Sequence, residues 1–145
     1  MSTARLLLVL LVIGLGSSTA LGQERDEGTG VVPDTVVQRV SGAFQSGNAQ
    51  LLLTPAADRV EVSLFGARTV YSSAQAFYVL REFFERHPPN AFVLADTTGT
   101  GASCFLRGVF NHGRGERPLQ VYVRFVRHGT KTWQLHEVRI DSEAE

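Results

Sequence analysis

One cysteine, one lysine, one tryptophan and one methionine stand among the 145 residues. A single thiol, Cys104, excludes an intramolecular disulfide, so the fold must rest on its apolar core. Cys104 sits in a strand pattern, which suits a buried, inert thiol. Because Lys131 is the only lysine, arginine supplies nearly all the positive charge, and 14 basic residues are matched by 14 acidic ones. That balance leaves no basic stripe and argues against a nucleic-acid binder. The four histidines, His87, His112, His128 and His136, offer no pair at metal-ligand spacing within one element. With no second cysteine to join them, no zinc site is expected. No cofactor is expected either. The glycines at 99 and 101 and at 113 and 115 are not followed by a helix, which a phosphate cradle needs. No serine stands in a nucleophile elbow.

Long apolar runs are scarce as well. Leu6 to Leu15 is too short to span a bilayer comfortably, and no later segment does better. With Arg5 before it and the small residues Ser17 to Gly22 after it, the run reads as a secretory signal peptide cleaved after Gly22. Residues 1–22 are therefore expected to be removed, and the protein to be exported to the periplasm or the medium. No cysteine follows the run, so no lipid anchor is expected. Without Arg5, 13 basic residues face 14 acidic ones, a formal charge of −1. Residues 23–32 begin with the polar, glycine-bearing QERDEGTG and read as a disordered leader. Residues 33–141 form one domain, and 142–145 a disordered tail.

What is present alternates between two periods. Asp34 after Pro33 is placed to cap a helix over 34–46, with Val36, Val37, Val40 and Phe44 on one face and Gly47 as its stop. A short helical turn, 49–53, precedes Pro55. Residues 59–65 alternate as a strand, and 68–71 return as its hairpin partner. Ser72 and Gln75 have capping-box spacing before a main helix whose stripe is Ala76, Phe77, Leu80, Phe83 and Phe84. Pro88 and Pro89 forbid its continuation. Strand patterns then cover 91–97, 102–111, 118–127 and 132–140.

The strongest signal is the hairpin of the last two strands. Leu119, Val121, Val123 and Phe125 alternate with Gln120, Tyr122, Arg124 and Val126, and Gly129 can supply a positive φ at the turn. A two-residue loop at Gly129-Thr130 would set Val123 opposite His136, Tyr122 opposite Glu137 and Arg124 opposite Leu135. A three-residue loop would move every pairing by one. In the first register His136 projects from the apolar face toward the helices. The other face carries Gln120, Tyr122, Arg124, Trp133, Glu137 and Arg139. With the six residues His112 to Arg117 as the preceding turn, Arg107 would lie opposite Tyr122 and reach over its ring to Glu137. Strand 102–111 is apolar on both faces, with Phe105 and Val109 against Leu106 and Phe110. A covered outer face, and hence a homodimer, is expected.

The order of elements predicts an α+β domain: a curved antiparallel sheet of about six strands with the N-terminal helices packed on one face. It resembles the nuclear transport factor 2-like, cystatin-like cone. More closely, SGAFQSGNAQLL, VEVSLFG, VYSSAQAFYVLREFFERHPP and the final W-x-L-H-E-V-R-I resemble a small secreted bacterial family, domain-of-unknown-function family 4783. The likeness covers residues 33–141, and the family offers no catalytic residues to carry over. The wider superfold includes isomerases and dehydratases, whose pockets need paired acid–base groups; His136, Tyr78 and Asp96 are the candidates here. Arg107, Tyr122, Arg124, Trp133 and Glu137 are candidates for surface interaction. Two readings follow. One is a non-catalytic extracytoplasmic module that binds an apolar small molecule, a peptide or a protein through the cone pocket or the sheet face. The other is a small isomerase- or dehydratase-like enzyme. They separate on whether two titratable groups converge in one cavity or only one is present.

Overall fold

The computed structural model describes residues 30–143. The segment expected to be a signal peptide and most of the expected leader lie outside the described residues. The first helix, α1, spans Asp34–Ser46 and ends on Gly47 at φ 66°, the left-handed stop that its lack of a Cβ permits. Asp34 is not the cap: Pro33 is, without a side-chain hydrogen bond, and Asp34 is the first helical residue. Asn48 caps the short α2, Ala49–Leu52, accepting from the Leu51 amide at 3.0 Å. Strands β1 (Ala56–Leu64) and β2 (Ala67–Ser72) form the expected hairpin. The main helix, α3, spans Ser73–Arg86 and begins with the reciprocal capping box of Ser72 and Gln75. Strands β3 (Pro89–Gly99), β4 (Ser103–His112), β5 (Leu119–His128) and β6 (Thr132–Ser142) complete the chain.

The six strands form one sheet in the order β2-β1-β6-β5-β4-β3. Four neighbouring pairs are antiparallel, but β1 and β6 run parallel, so the sheet is mixed. Register shifts in β1/β6, β3/β4 and β5/β6 bend and twist the strands. The helices cover one face. Between them and the sheet Phe44 stacks on Phe92 at 5.1 Å and meets Phe84 and Phe110 edge-on at 5.4 and 5.7 Å. Burial of such rings, with their favoured edge-to-face geometry, supplies much of the stability that disulfides provide elsewhere. Cys104 is buried in the same core, and desolvation pushes its thiol up to about 11.

The core also reaches further along the chain than composition suggests. Val32 is 7% exposed and packs with α1, and the Gly30 backbone lies directly against Gly99. The leader's last three residues thus belong to the domain. His112 is 9% exposed and stacks on Phe110, with His87 edge-on to it at 4.9 Å. His87 itself holds the Phe83 carbonyl at 2.9 Å, as a residue at a helix C-terminus should.

The last hairpin departs from the two-residue-loop register in an instructive way. His128 pairs with Thr132, leaving a three-residue loop, Gly129 to Lys131. Farther from the turn a bulge at His136 inserts one more residue, so Arg124 pairs with Glu137 while Phe125 pairs with Leu135. Each event inverts the faces of β6 and together they cancel. Val138 and Ile140 therefore point into the core as the alternation implies. Between turn and bulge the faces are reversed: Trp133 and Leu135 face the core, and His136 faces away from it.

Candidate functional site: the outer face of the sheet

The space between helices and sheet, where a cone pocket would lie, is occupied by side chains. Phe44, Leu80, Leu106, Phe110 and Phe125 are all fully buried there. The three candidate acid–base residues are not brought together. Tyr78 is 65% exposed on α3, beyond the helix layer. Asp96 sits on edge strand β3, ion-paired with Arg107 at 3.2 Å. His136 is on β6, with β5 and β4 between it and β3.

Polar and apolar groups converge instead on the face turned away from the helices. At its centre the Glu137 carboxylate, with a side chain only 10% exposed, takes Arg124 at 3.3 Å and Arg139 at 2.9 Å. The Arg139 guanidinium lies over the Tyr122 ring, 5.2 Å from its centroid. The register does set Arg107 opposite Tyr122, but its carboxylate is Asp96 rather than Glu137. Arg139 takes the place over the ring because Tyr122 pairs with it once β6 is displaced by loop and bulge. Beside Glu137 across the parallel pair stands Glu61, bound by Arg68 at 2.6 Å. Phe105 lies 6.0 Å from Tyr122, between the two charge clusters.

Three cavities open on this face. Two flank Tyr122: about 230 Å³ beside Asp96, Thr98 and Phe105, and about 260 Å³ beside Arg139 and Asp141. The third, about 510 Å³, lies where β1 leaves its pairing with β6; it is lined by His136, His128, Gln134, Val126, Arg127 and Asp58. The bulge aims His136 into it. Burial, then the Arg124 charge, lower the His136 pKa below the usual imidazole value, which favours the neutral ring. Such a ring can donate from one nitrogen and accept at the other. Burial, then the Glu137 charge, raise the Tyr122 hydroxyl. Its hydrogen bond from Arg68 is the chief cause holding the Glu61 carboxyl below its ordinary value.

Four of the five residues expected at an interaction surface, Arg107, Tyr122, Arg124 and Glu137, are thus together. Trp133 is not among them, since it faces the helix side near the hairpin turn. Sequence reading missed Asp58, Arg127 and Gln134 as cavity walls, and Glu61 and Arg68 as parts of the charge cluster. No local pattern announces a parallel pairing between strands some 75 residues apart in the chain (Glu61 with Glu137). Among the described residues no group of three or more His, Cys, Asp or Glu is arranged to hold a metal ion. No helix among them is long and apolar enough to cross a membrane.

A bent six-stranded sheet with its helices on one face defines the α+β cone of nuclear transport factor 2-like proteins. Residues 37–141 match the family described as Domain of unknown function (DUF4783), and the chain belongs to that family. A DUF4783 family protein from Bacteroides uniformis is 25% identical with a TM-score of 0.68, over 79% of this chain and 100% of that one. A nuclear transport factor 2-like protein of unknown function from Silicibacter pomeroyi shares the fold at 9% identity, TM-score 0.55, over 76% of this chain and 92% of that one. A putative polyketide cyclase from Sinorhizobium meliloti does so at 14% identity, TM-score 0.57, over 76% and 95%. No curated protein matched the chain.

Proposed function

We propose that the protein is a non-catalytic, extracytoplasmic binding module that works through the outer face of its sheet, and that a second copy of the chain is a partner for that face. The observation that carries this reading is the half-buried apolar group of Phe105, Val109, Tyr122 and Val126, set among paired charges while the cone interior is filled. On the face Arg68, Arg107, Arg124 and Arg139 are matched by Glu61, Asp96, Glu137 and Asp141, and at the third cavity Arg127 is matched by Asp58. A neutral face can meet its own copy without net repulsion, whereas a nucleic acid would favour excess positive charge. Its size suits the role: six strands of 6 to 11 residues, at about 3.3 Å per residue and about 4.8 Å apart, give a face of roughly 900 Å², near the ~800 Å² per partner of a stable interface. Catalysis is the weaker reading, because Tyr78, Asp96 and His136 lie apart and proton transfer needs groups within hydrogen-bond reach of one substrate.

Export rests on the signal-peptide pattern of residues 1–22, and mass spectrometry of extracytoplasmic material should show a chain beginning at Gln23. Sedimentation equilibrium tests the outer face. The parent should show a dimer mass at tens of micromolar, and Phe105→Arg a monomer that still unfolds in one cooperative transition. A monomeric parent would remove self-association from the proposal.

A further inference from the structure

Away from the outer face, the first turns of α1 meet the Thr54-Pro55 loop and the start of β6 around a cavity of about 410 Å³. Two of its eight lining residues, Arg39 and Lys131, are cationic and none is acidic. Val36, Pro55 and the Trp133 indole supply its apolar wall, and Thr35, Thr54 and Thr132 its hydroxyls.

Arg39 differs from the arginines of the outer face. Arg107, Arg124 and Arg139 each meet a carboxylate, whereas Arg39 meets backbone carbonyls: Leu51 at 3.0 Å, Leu52 at 2.7 Å, Trp133 at 2.8 Å, and Pro55. Its guanidinium also lies 4.9 Å from the centroid of the Phe125 ring. Carbonyl dipoles take four of its N–H groups, and no carboxylate among the described residues pairs with its charge. Desolvation lowers the Arg39 pKa to about 10, so the group has lost water and remains a cation at neutral pH. A guanidinium has five N–H donors, and the four carbonyl bonds leave one, on Nη1. No acceptor among the described residues takes the Lys131 ammonium or the Trp133 indole N–H.

We propose that this cavity binds a small organic carboxylate, with Lys131 and the remaining Arg39 donor holding the carboxylate and Trp133 flanking its apolar body. A monoanion suits the site better than a phosphate, because a doubly charged group with three acceptor oxygens would demand more free donors than Arg39 retains. The lining matches the usual composition of a ligand site, an apolar wall with few polar groups that fix orientation.

Trp133 is the only tryptophan, so its fluorescence reports on this cavity alone. Phenylacetate and its neutral isostere phenylacetamide are titrated into the folded protein, each up to about 10 mM. Phenylacetate should change Trp133 emission saturably, and phenylacetamide should bind at least about tenfold more weakly. Lys131→Gln lies in the hairpin loop, so it should keep the parent melting curve and weaken phenylacetate about tenfold. Arg39→Gln should also lose the response, but it breaks four structural hydrogen bonds, so the Lys131 variant decides. No saturable change with phenylacetate, equal binding of acid and amide, or unaltered affinity in folded Lys131→Gln would each overturn the proposal.

Discussion

Replacing Phe44 by Ala asks whether the cone interior is core or pocket. The ring is 0% exposed and lies against Phe84, Phe92 and Phe110, with centroids 5.1 to 5.7 Å away. Phe→Ala at a closed site costs about 3–5 kcal/mol, combining lost transfer energy with the cavity left behind. Each aromatic pair adds about 0.5–1.5 kcal/mol to simple burial, and three pairs are lost here, so the upper end of that range is expected. Against a total stability of about 5–15 kcal/mol, a loss near 5 kcal/mol is severe. For a domain of this size it corresponds to a fall in melting temperature of roughly 15–20 °C. Urea unfolding should show the same loss as a lower midpoint with an unchanged slope, since the exposed area hardly differs. Phe44→Leu, which refills most of the volume but loses the same three ring pairs, should cost clearly less than Phe44→Ala. Were the interior a ligand pocket, Phe44 would line empty space and its truncation would cost little. A loss below about 1 kcal/mol in Phe44→Ala would refute the filled-cone reasoning.

Three further outcomes follow from particular contacts. The His136 ring should titrate below the usual 6.5 by NMR, and Arg124→Gln should move it only part of the way back, because burial is the larger cause. Since its folded pKa is depressed, the unfolded chain binds the proton more readily, so His136 makes stability fall as pH drops below 6.5 and through the folded pKa. His136→Gln should flatten that slope, and an identical pH profile would count against it. Native Cys104 should resist a thiol reagent at pH 8 and react only on unfolding, as burial and a pKa of about 11 require; rapid labelling of folded protein would contradict this. Gly108→Ala should destabilise by about 1–3 kcal/mol through overpacking, because a Cβ there would sit 2.4 Å from the Phe92 ring; a neutral effect in urea unfolding would show that the ring can move aside.

The elements were legible because their signals are local. The Phe77–Phe84 stripe, the Ser72–Gln75 box, the Gly47 stop and the alternation of β5 each depend on residues a turn apart. The faces of β6 were not legible in the same way. They depend on the loop length at Gly129 and on the His136 bulge, and both depend on packing rather than residue preference. Hence Val138 and Ile140 fell on the right side, while Trp133, Leu135 and His136 did not. His136 still lines a cavity, but on the outer face and not beneath the helices. The Arg107–Tyr122 pairing was legible because the turn before β5 has a countable length. The Glu61–Glu137 neighbourhood was not, because a parallel contact across the whole domain leaves no mark in either strand. Arg39 was hidden for a related reason: its carbonyl partners come from two segments far apart in the chain, residues 51–55 and Trp133.

The outer face as working surface is tested most directly by amide NMR on the same sample, dilute and then concentrated. The account predicts that shifts on concentration cluster at Phe105, Arg107, Tyr122, Arg124 and Glu137, leave the amides of α1 and α3 unmoved, and vanish in Phe105→Arg. Shifts confined to the helices, or a spectrum that never changes while the protein remains a monomer, would contradict it.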